Sequence, residues 1–206
     1  MDFQTSKNLG GIGALLMFLG PLLTFVNAFG GLLSLIGFIL VLISLHSFAG
    51  IYGESGIFNN ALYGFITGVV GGVISVGVFV ITALSLLSDL GVTDWTNVTE
   101  WTDLFATEAA AFGFIMDLIT AVITALIVLF VFAIITAWLY RRSLSMLSSK
   151  SGVGMFGTAG LLLLIGAVLI IAIGIGLILV WISILLVAIA FFSMKPMEAA
   201  STPQPT

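Results

Sequence analysis

The sequence predicts an all-α, polytopic integral membrane helix bundle with six transmembrane helices and both termini in the cytoplasm. Of its 206 residues, 61% are hydrophobic and only 7% are charged, against about 25% charged residues in soluble domains. Apolar runs of about 20 residues, the length that crosses a bilayer, recur along the chain. An even number of predicted spans separates the basic residues, which mark the cytoplasmic side. They are Lys7, Arg141, Arg142, Lys150 and Lys195.

The first three spans follow from apolar runs that are interrupted by turn-forming residues. The first is 9–27, and its Gly20-Pro21 pair predicts a kink, because proline cannot donate a backbone hydrogen bond within the helix. The second is 32–49. A polar, glycine-containing connector over 50–60 then leads to the third span at 61–87.

Residues 88–108 form the one long hydrophilic stretch, which we expect outside the cell as an acidic loop. It contains five acidic and no basic residues. Asn97 and Glu100 have the spacing of a capping box, which predicts a short interfacial helix. Asn97 also begins the glycosylation sequon Asn97-Val-Thr99. Capping and glycosylation would compete for the same side chain.

The fourth span is predicted at 109–140, which is longer than one crossing needs, so it should tilt or protrude. Trp95, Trp101, Trp138 and Tyr140 fall near predicted span ends, as interfacial aromatic residues do. Arg141 and Arg142 should end the span, contact anionic lipid headgroups and lead into a Ser-rich loop over 143–154.

Residues 155–192 carry no charge. One straight helix of that length would be about 57 Å long, against a hydrocarbon core of about 30 Å. We expect either a full hairpin, with spans at 155–171 and 175–193, or a re-entrant element. The tail, 195–206, contains Pro, Ser and Thr and should be disordered. Residues 1–194 would then form a single transmembrane domain.

The two ends of the chain resemble each other. Gly10 and Gly13 align with Gly157 and Gly160 within similar apolar segments, each preceded by a lysine. This pattern indicates either an internal duplication with parallel copies or the general likeness of glycine-rich apolar hairpins. Parallel copies differ from the inverted repeats of many secondary transporters.

Three motifs also resemble a known family. They begin at Lys7 (KNLGGIGALL), Ser55 (SGIFNNALYGF) and Lys150 (KSGVGMFGTAG). Together they resemble an uncharacterised archaeal membrane protein family, domain of unknown function 996, over nearly the whole chain. The resemblance implies a multi-pass protein of an archaeal plasma (cell) membrane. It implies no activity, ligand or site.

Glycines four residues apart in the third span predict close helix packing, since bare backbone lets another helix approach. They are Gly64, Gly68 and Gly72. The packing partner would lie within the monomer or in a second copy, which would make a homo-oligomer. A ligand groove lined by bare backbone is a third alternative.

Two ionisable residues lie within predicted spans. Asp117 is a candidate for ion or proton handling because intramembrane acids are functional candidates by default. Its alternative is a structural role, in which it reaches the membrane interface or accepts a hydrogen bond from a neighbouring hydroxyl such as that of Thr82, Ser85 or Ser88. His46, the sole histidine, lies near the inner end of the second span, where a helix-end or interfacial role is expected.

The sequence predicts no catalytic, cofactor-binding or metal site. There is no cysteine, one histidine cannot make a metal site alone, and the clustered basic residues of a nucleic-acid interface are missing. The chain should therefore contact the lipid bilayer and no nucleic acid. A non-enzymatic structural or interaction protein is the leading functional hypothesis. The alternative is a small-solute or ion transporter or channel that uses Asp117.

Overall fold

The computed structural model describes residues 1–24, 29–89, 108–171 and 174–196, and the regular secondary structure within these ranges is helical. The predicted all-α class is confirmed. A 3₁₀ turn, Leu169–Ile171, follows the fifth of the six helices in the described ranges. The helices are α1 (Phe3–Thr24), α2 (Phe29–Ile51), α3 (Ser55–Asp89), α4 (Glu108–Ser151), α5 (Gly154–Val168) and α6 (Ile175–Ser193).

Five of these helices are long and apolar enough to cross a bilayer. Helix α3 has 35 residues and α4 has 44, or about 52 and 66 Å at 1.5 Å per residue. Both are longer than a hydrocarbon core of about 30 Å and must extend beyond it or tilt strongly. Helix α5 is shorter, with 15 residues, and the 3₁₀ turn prolongs it.

The predicted loop at 143–154 is wrong for most of its length, because α4 continues through Arg141 and Arg142 to Ser151. The helix continues because one side of it packs inside the protein, where Ser143, Leu144 and Leu147 are buried. Arg, Leu and Met are also good helix formers in water. It ends before Gly152, whose φ of 72° is left-handed and favours glycine.

The predicted connector at 50–60 is also shorter than expected, since α2 ends at Ile51 and α3 begins at Ser55. Gly53 turns the chain with a φ of 62°. The Glu54 backbone N–H donates to the Ala49 carbonyl at 2.9 Å, which caps α2. Polar residues in 55–60 are therefore the first turns of a helix.

Several predictions fall outside the described residues. They concern the acidic loop from 90 to 107, Asn97 within it, and the tail beyond residue 196. The cytoplasmic placement of both termini stays a prediction.

The chain divides into two compact units. Unit 1 comprises Met1–Phe65 and Ile134–Thr206, and unit 2 comprises Ile66–Ala133. Helices α3 and α4 contribute residues to both units.

Unit 1 contains two helix hairpins held by reciprocal glycine contacts. A β-carbon on Gly13 would lie 2.6 Å from the Gly37 carbonyl oxygen, and one on Gly37 would meet the Gly13 carbonyl. Gly20 and Gly30 repeat this arrangement between α1 and α2. Gly166 faces Gly176 in the same way in the α5–α6 hairpin. Glycine allows the backbones to approach this closely, which maximises dispersion contacts.

The two hairpins are related by a constant shift of 146 residues, which takes Gly20 to Gly166 and Gly30 to Gly176. Sequence similarity alone suggested 147, from Gly10 and Gly157. The shift of 146 supports the duplication hypothesis, because it also brings buried positions into register. The further pairs are Gly10 and Phe156, Gly13 and Ala159, Ala14 and Gly160, Gly37 and Ser183, Ser44 and Ala190, Leu45 and Phe191, and Phe48 and Met194.

An aromatic core closes one end of unit 1. Phe48, Phe156 and Phe191 are fully buried. The Phe191 ring lies 4.9 Å from that of Phe156 in an edge-to-face contact and 6.0 Å from that of Phe48. Such pairs add to the stabilisation that comes from burying apolar area. Ile57, Leu147 and Met194 complete this core, which we call the basic-end core after the lysines around it.

Candidate functional site

The lysines of unit 1 surround the basic-end core. The Lys7 ammonium donates to the Met194 carbonyl at 2.8 Å, at the C-terminus of α6, where positive charge is favoured. Lys150 and Glu54 form an ion pair at 3.5 Å. Both side chains are substantially exposed, so the pair adds little stability.

Asp2 caps the N-terminal end of α1, the end that also carries Lys7. Its carboxylate accepts the Thr5 backbone N–H at 2.8 Å. Hydrogen bonds from Thr5 hold the pKa of Asp2 below its usual value, because they stabilise the charged form.

Buried serines connect the helices of unit 1. The Ser44 hydroxyl donates to the Ser6 carbonyl at 2.7 Å, and Ser6 Oγ lies 2.6 Å from Ser47 Oγ. The Ser143 hydroxyl donates to the Ile57 carbonyl at 2.5 Å. Satisfied hydroxyls of this kind add specificity to a helix interface at little cost. Recurrent serines within otherwise apolar runs are a signal of such contacts that the sequence-based predictions do not include.

Asp117 is exposed on the unit 2 part of α4. None of the hydrogen bonds predicted with Thr82, Ser85 or Ser88 is made in the described part of the chain. Thr120 and Thr124, on the same face, donate to carbonyls one turn back, Met116 and Thr120, at 2.9 and 2.8 Å. The carboxylate is therefore directed outward and not into a packed interior.

Asp117 lies nine residues after Glu108, where α4 begins, or about two to three helical turns from that end of the helix. An exposed carboxylate can be hydrated near a membrane interface, whereas one at the bilayer centre would be costly.

His46 is exposed on α2, and its ring meets that of Phe58 edge to face at 4.8 Å. This contact fixes the imidazole beside the start of α3. It places the histidine against an aromatic ring, which suits the predicted helix-end role.

The predicted glycine series on α3 divides into different environments. Gly64 is buried, and a β-carbon on it would lie 3.2 Å from the Tyr140 ring. Gly68 is partly buried. Gly72 has open space around its β-position, so the close contact predicted for it inside the monomer is not made among the described residues. Its neighbour Gly71 makes that contact, against Phe132.

The packing face of α3 in unit 2 therefore runs through Gly71 and Ser75. Both are buried, and the Ser75 hydroxyl donates to the Ala125 carbonyl of α4 at 2.6 Å. A spacing of four keeps two residues on one face of a helix. A series that ends at Gly72 lies one position away from this face.

We predict that Gly71→Leu destabilises the protein and that Gly72→Leu does not. The Gly71 variant must displace Phe132, and overpacking of this kind costs about 1–3 kcal/mol. The Gly72 variant extends into open space. Thermal unfolding of both variants in detergent is the measurement, and equal melting temperatures would show that α3 packs in a different register.

Arg141 and Arg142 lie on an exposed turn of α4, and together with Trp138, Ser145 and Met146 they line a shallow surface cleft. The Arg142 guanidinium carbon lies 5.7 Å from the centroid of the Trp138 ring, within cation–π range. The helix backbone beneath is held from two sides. Ser143 bonds to α3, and Gly160 of α5 packs against the Arg141 backbone.

The sequence matches a known protein family. The family described as Protein of unknown function (DUF996) matches residues 33–189. An uncharacterised protein of Methanocaldococcus jannaschii is 25% identical over 197 residues, which cover 94% of each chain. No solved structure matches the chain. With more than half of its length matched, the chain belongs to the DUF996 family of proteins of unknown function.

Proposed function

We propose that this protein is a non-enzymatic integral membrane protein of the cell membrane with a structural or interaction role. One observation carries the proposal. Within the described ranges, the polar residues that are buried as a whole are five serines, Ser6, Ser44, Ser75, Ser143 and Ser183, and no aspartate, glutamate, lysine, arginine or histidine is buried. Reaction chemistry and ion coupling usually require titratable groups in a water-excluding site.

The basic-end core supports the same proposal. Large fully buried side chains fill that end of unit 1, and the hydroxyls of Ser44 and Ser143 are bonded to backbone carbonyls. A solute pathway lined by these groups would require the core to separate. Many apolar side chains of α3 and α4 are instead exposed, as contact with lipid requires.

The alternative function, a small-solute or ion transporter or channel, depends on Asp117. Its support is the presence of a carboxylate within an apolar helix, without a side-chain partner in the described residues. Its exposed position and its place about two to three turns from the start of α4 favour an interfacial, structural role.

Reconstituted vesicles test the two functions. We expect vesicles that contain the purified protein to show no proton or monovalent-cation flux above protein-free vesicles, and Asp117→Asn to behave identically. Because Asp117 is exposed, the substitution should change the free energy of unfolding by less than about 0.5 kcal/mol. A flux that is present in the wild type and lost in a folded Asp117→Asn variant would establish the transporter.

The proposed interaction role includes association with a second copy at Gly72. Gly64 is covered by Tyr140 and cannot belong to such a face, whereas the β-position of Gly72 is open. Close approach at a bare glycine is a common basis for helix association in membranes. The Gly72→Leu variant therefore has a second measurement, its mass in detergent. The wild type should be a dimer and this variant a monomer, with the packing inside each copy unchanged.

A further inference from the structure

The outward-facing turn of α4 that carries Trp138, Arg141, Arg142 and Ser145 has the features of a ligand site, and we propose that it binds a phosphate group. The four residues are exposed and line one cleft with Met146. Two sources supply this chemistry to a membrane protein: the headgroup of an anionic phospholipid and free phosphate. The proposal holds whether the protein is a scaffold or a transporter.

The two guanidinium groups are free to bind an anion. Neither has a carboxylate within 4.0 Å in the described residues, where Glu54 is paired with Lys150. Each guanidinium presents five N–H donors in a planar fork that matches the oxygens of a phosphate. The cation–π contact with Trp138 restricts the Arg142 side chain, so less conformational entropy is lost when it binds.

The depth of the cleft matches that of a lipid phosphate. Trp138 is exposed, as the interfacial aromatic residues of membrane spans are, and Arg142 lies four residues further along α4, about 6 Å beyond Trp138. Met146 and the indole ring add apolar lining to the cleft. The glycerol and upper acyl carbons of a lipid would lie against these apolar groups while the phosphate meets the arginines.

The site is held on a rigid backbone. Arg141 and Arg142 lie inside a helix that continues to Ser151, with neighbouring contacts to α3 and α5 on its covered side. Arginines that only mark the cytoplasmic side need nothing but positive charge. Here the Trp138 contact and the anchored backbone also give the arginines a defined geometry. Substitution by lysine separates the effect of charge from that of geometry, since lysine keeps the charge and loses the planar fork.

The test is lipid binding by the full chain in a neutral detergent, followed by native mass spectrometry and by the shift of the melting temperature. The probes are phosphatidylglycerol, phosphatidylcholine and sodium phosphate. We expect phosphatidylglycerol to bind and to raise the melting temperature more than phosphatidylcholine does. In the double variant R141K/R142K its affinity should fall at least about tenfold, the equivalent of one charge-assisted hydrogen bond.

Lys150→Gln is the matched control, because it removes a positive charge from unit 1 outside the cleft. It should keep the phosphatidylglycerol shift. Without lipid, the melting temperature of R141K/R142K should equal that of the wild type, which separates loss of binding from loss of folding. An Arg-dependent shift with sodium phosphate alone would identify free phosphate as the source. Undiminished phosphatidylglycerol binding in R141K/R142K, or equal binding of phosphatidylcholine, would overturn the proposal.

Discussion

Gly13→Leu is expected to lower the free energy of unfolding by about 3 kcal/mol, at the upper end of the usual range for overpacking. A β-carbon at this position would lie 2.6 Å from the Gly37 carbonyl oxygen and 3.0 Å from the Val41 backbone nitrogen. Backbone atoms cannot move aside as a flexible side chain does, so α1 and α2 must separate along the contact. That separation would also loosen Ser44, which is bonded to the Ser6 carbonyl of α1.

Gly31→Leu is the matched control. Gly31 lies in α2, and a β-carbon there meets nothing within 4 Å, so the same substitution should leave stability nearly unchanged. Unfolding titrations with sodium dodecyl sulfate in mixed micelles, followed by tryptophan fluorescence, measure both variants. If Gly13→Leu and Gly31→Leu have equal midpoints, the α1–α2 hairpin does not pack through its glycines. Gly166→Leu repeats the test in the second hairpin, where Gly176 lies opposite.

The helical class and the approximate positions of the helices could be predicted because bilayer thickness sets the length of an apolar run. The ends of the helices could not. Arg141 and Arg142 end the apolar run, but Ser143 and Leu147 bury one side of the next turns against neighbouring helices. A charge pattern locates the membrane boundary, whereas tertiary packing determines where the helix stops.

The buried face of each helix also could not be predicted from the sequence. In a soluble helix, polar residues mark the outer face. Here lipid replaces water, so both faces of α3 and α4 are apolar, and the hydrophobic pattern does not show which face is buried. Gly71 and Gly72 are therefore equivalent in the sequence, and only the structure shows that Gly71 meets Phe132. The exposed position of Asp117 was unpredictable for the same reason.

The candidate site was predicted in part. Two adjacent arginines at the end of an apolar run indicated contact with lipid headgroups. The contact of Arg142 with the Trp138 ring and the cleft that both arginines line depend on a helix that continues past residue 140, where the apolar run ends. Trp138 and Ser145 are one turn before and one turn after the arginine pair, so they share its face only if the helix continues.

The second large effect is expected from Phe191→Ala, which should lower the free energy of unfolding by about 3–5 kcal/mol, the usual range for truncating a buried phenylalanine. The ring is fully buried and contacts both Phe48 and Phe156. It therefore links α6 to α2 and α5, and its removal would leave a cavity that three helices cannot easily collapse to fill. The atoms that line such a cavity would have no dispersion partner on one side, and lipid could not supply one because the basic-end core is closed.

Phe112→Ala is its control, since that ring is 65% exposed and the change should fall within about 0.5 kcal/mol of the wild type. The same mixed-micelle titration measures both variants. Phe191→Leu is expected to lower the free energy of unfolding less than Phe191→Ala does, because leucine keeps most of the buried volume. The order expected for stability is wild type and Phe112→Ala together, then Phe191→Leu, then Phe191→Ala. A Phe191→Ala variant as stable as Phe112→Ala would mean that lipid, and not Phe48 and Phe156, surrounds this ring. The closed basic-end core, which supports the proposed structural role, would then be wrong as well.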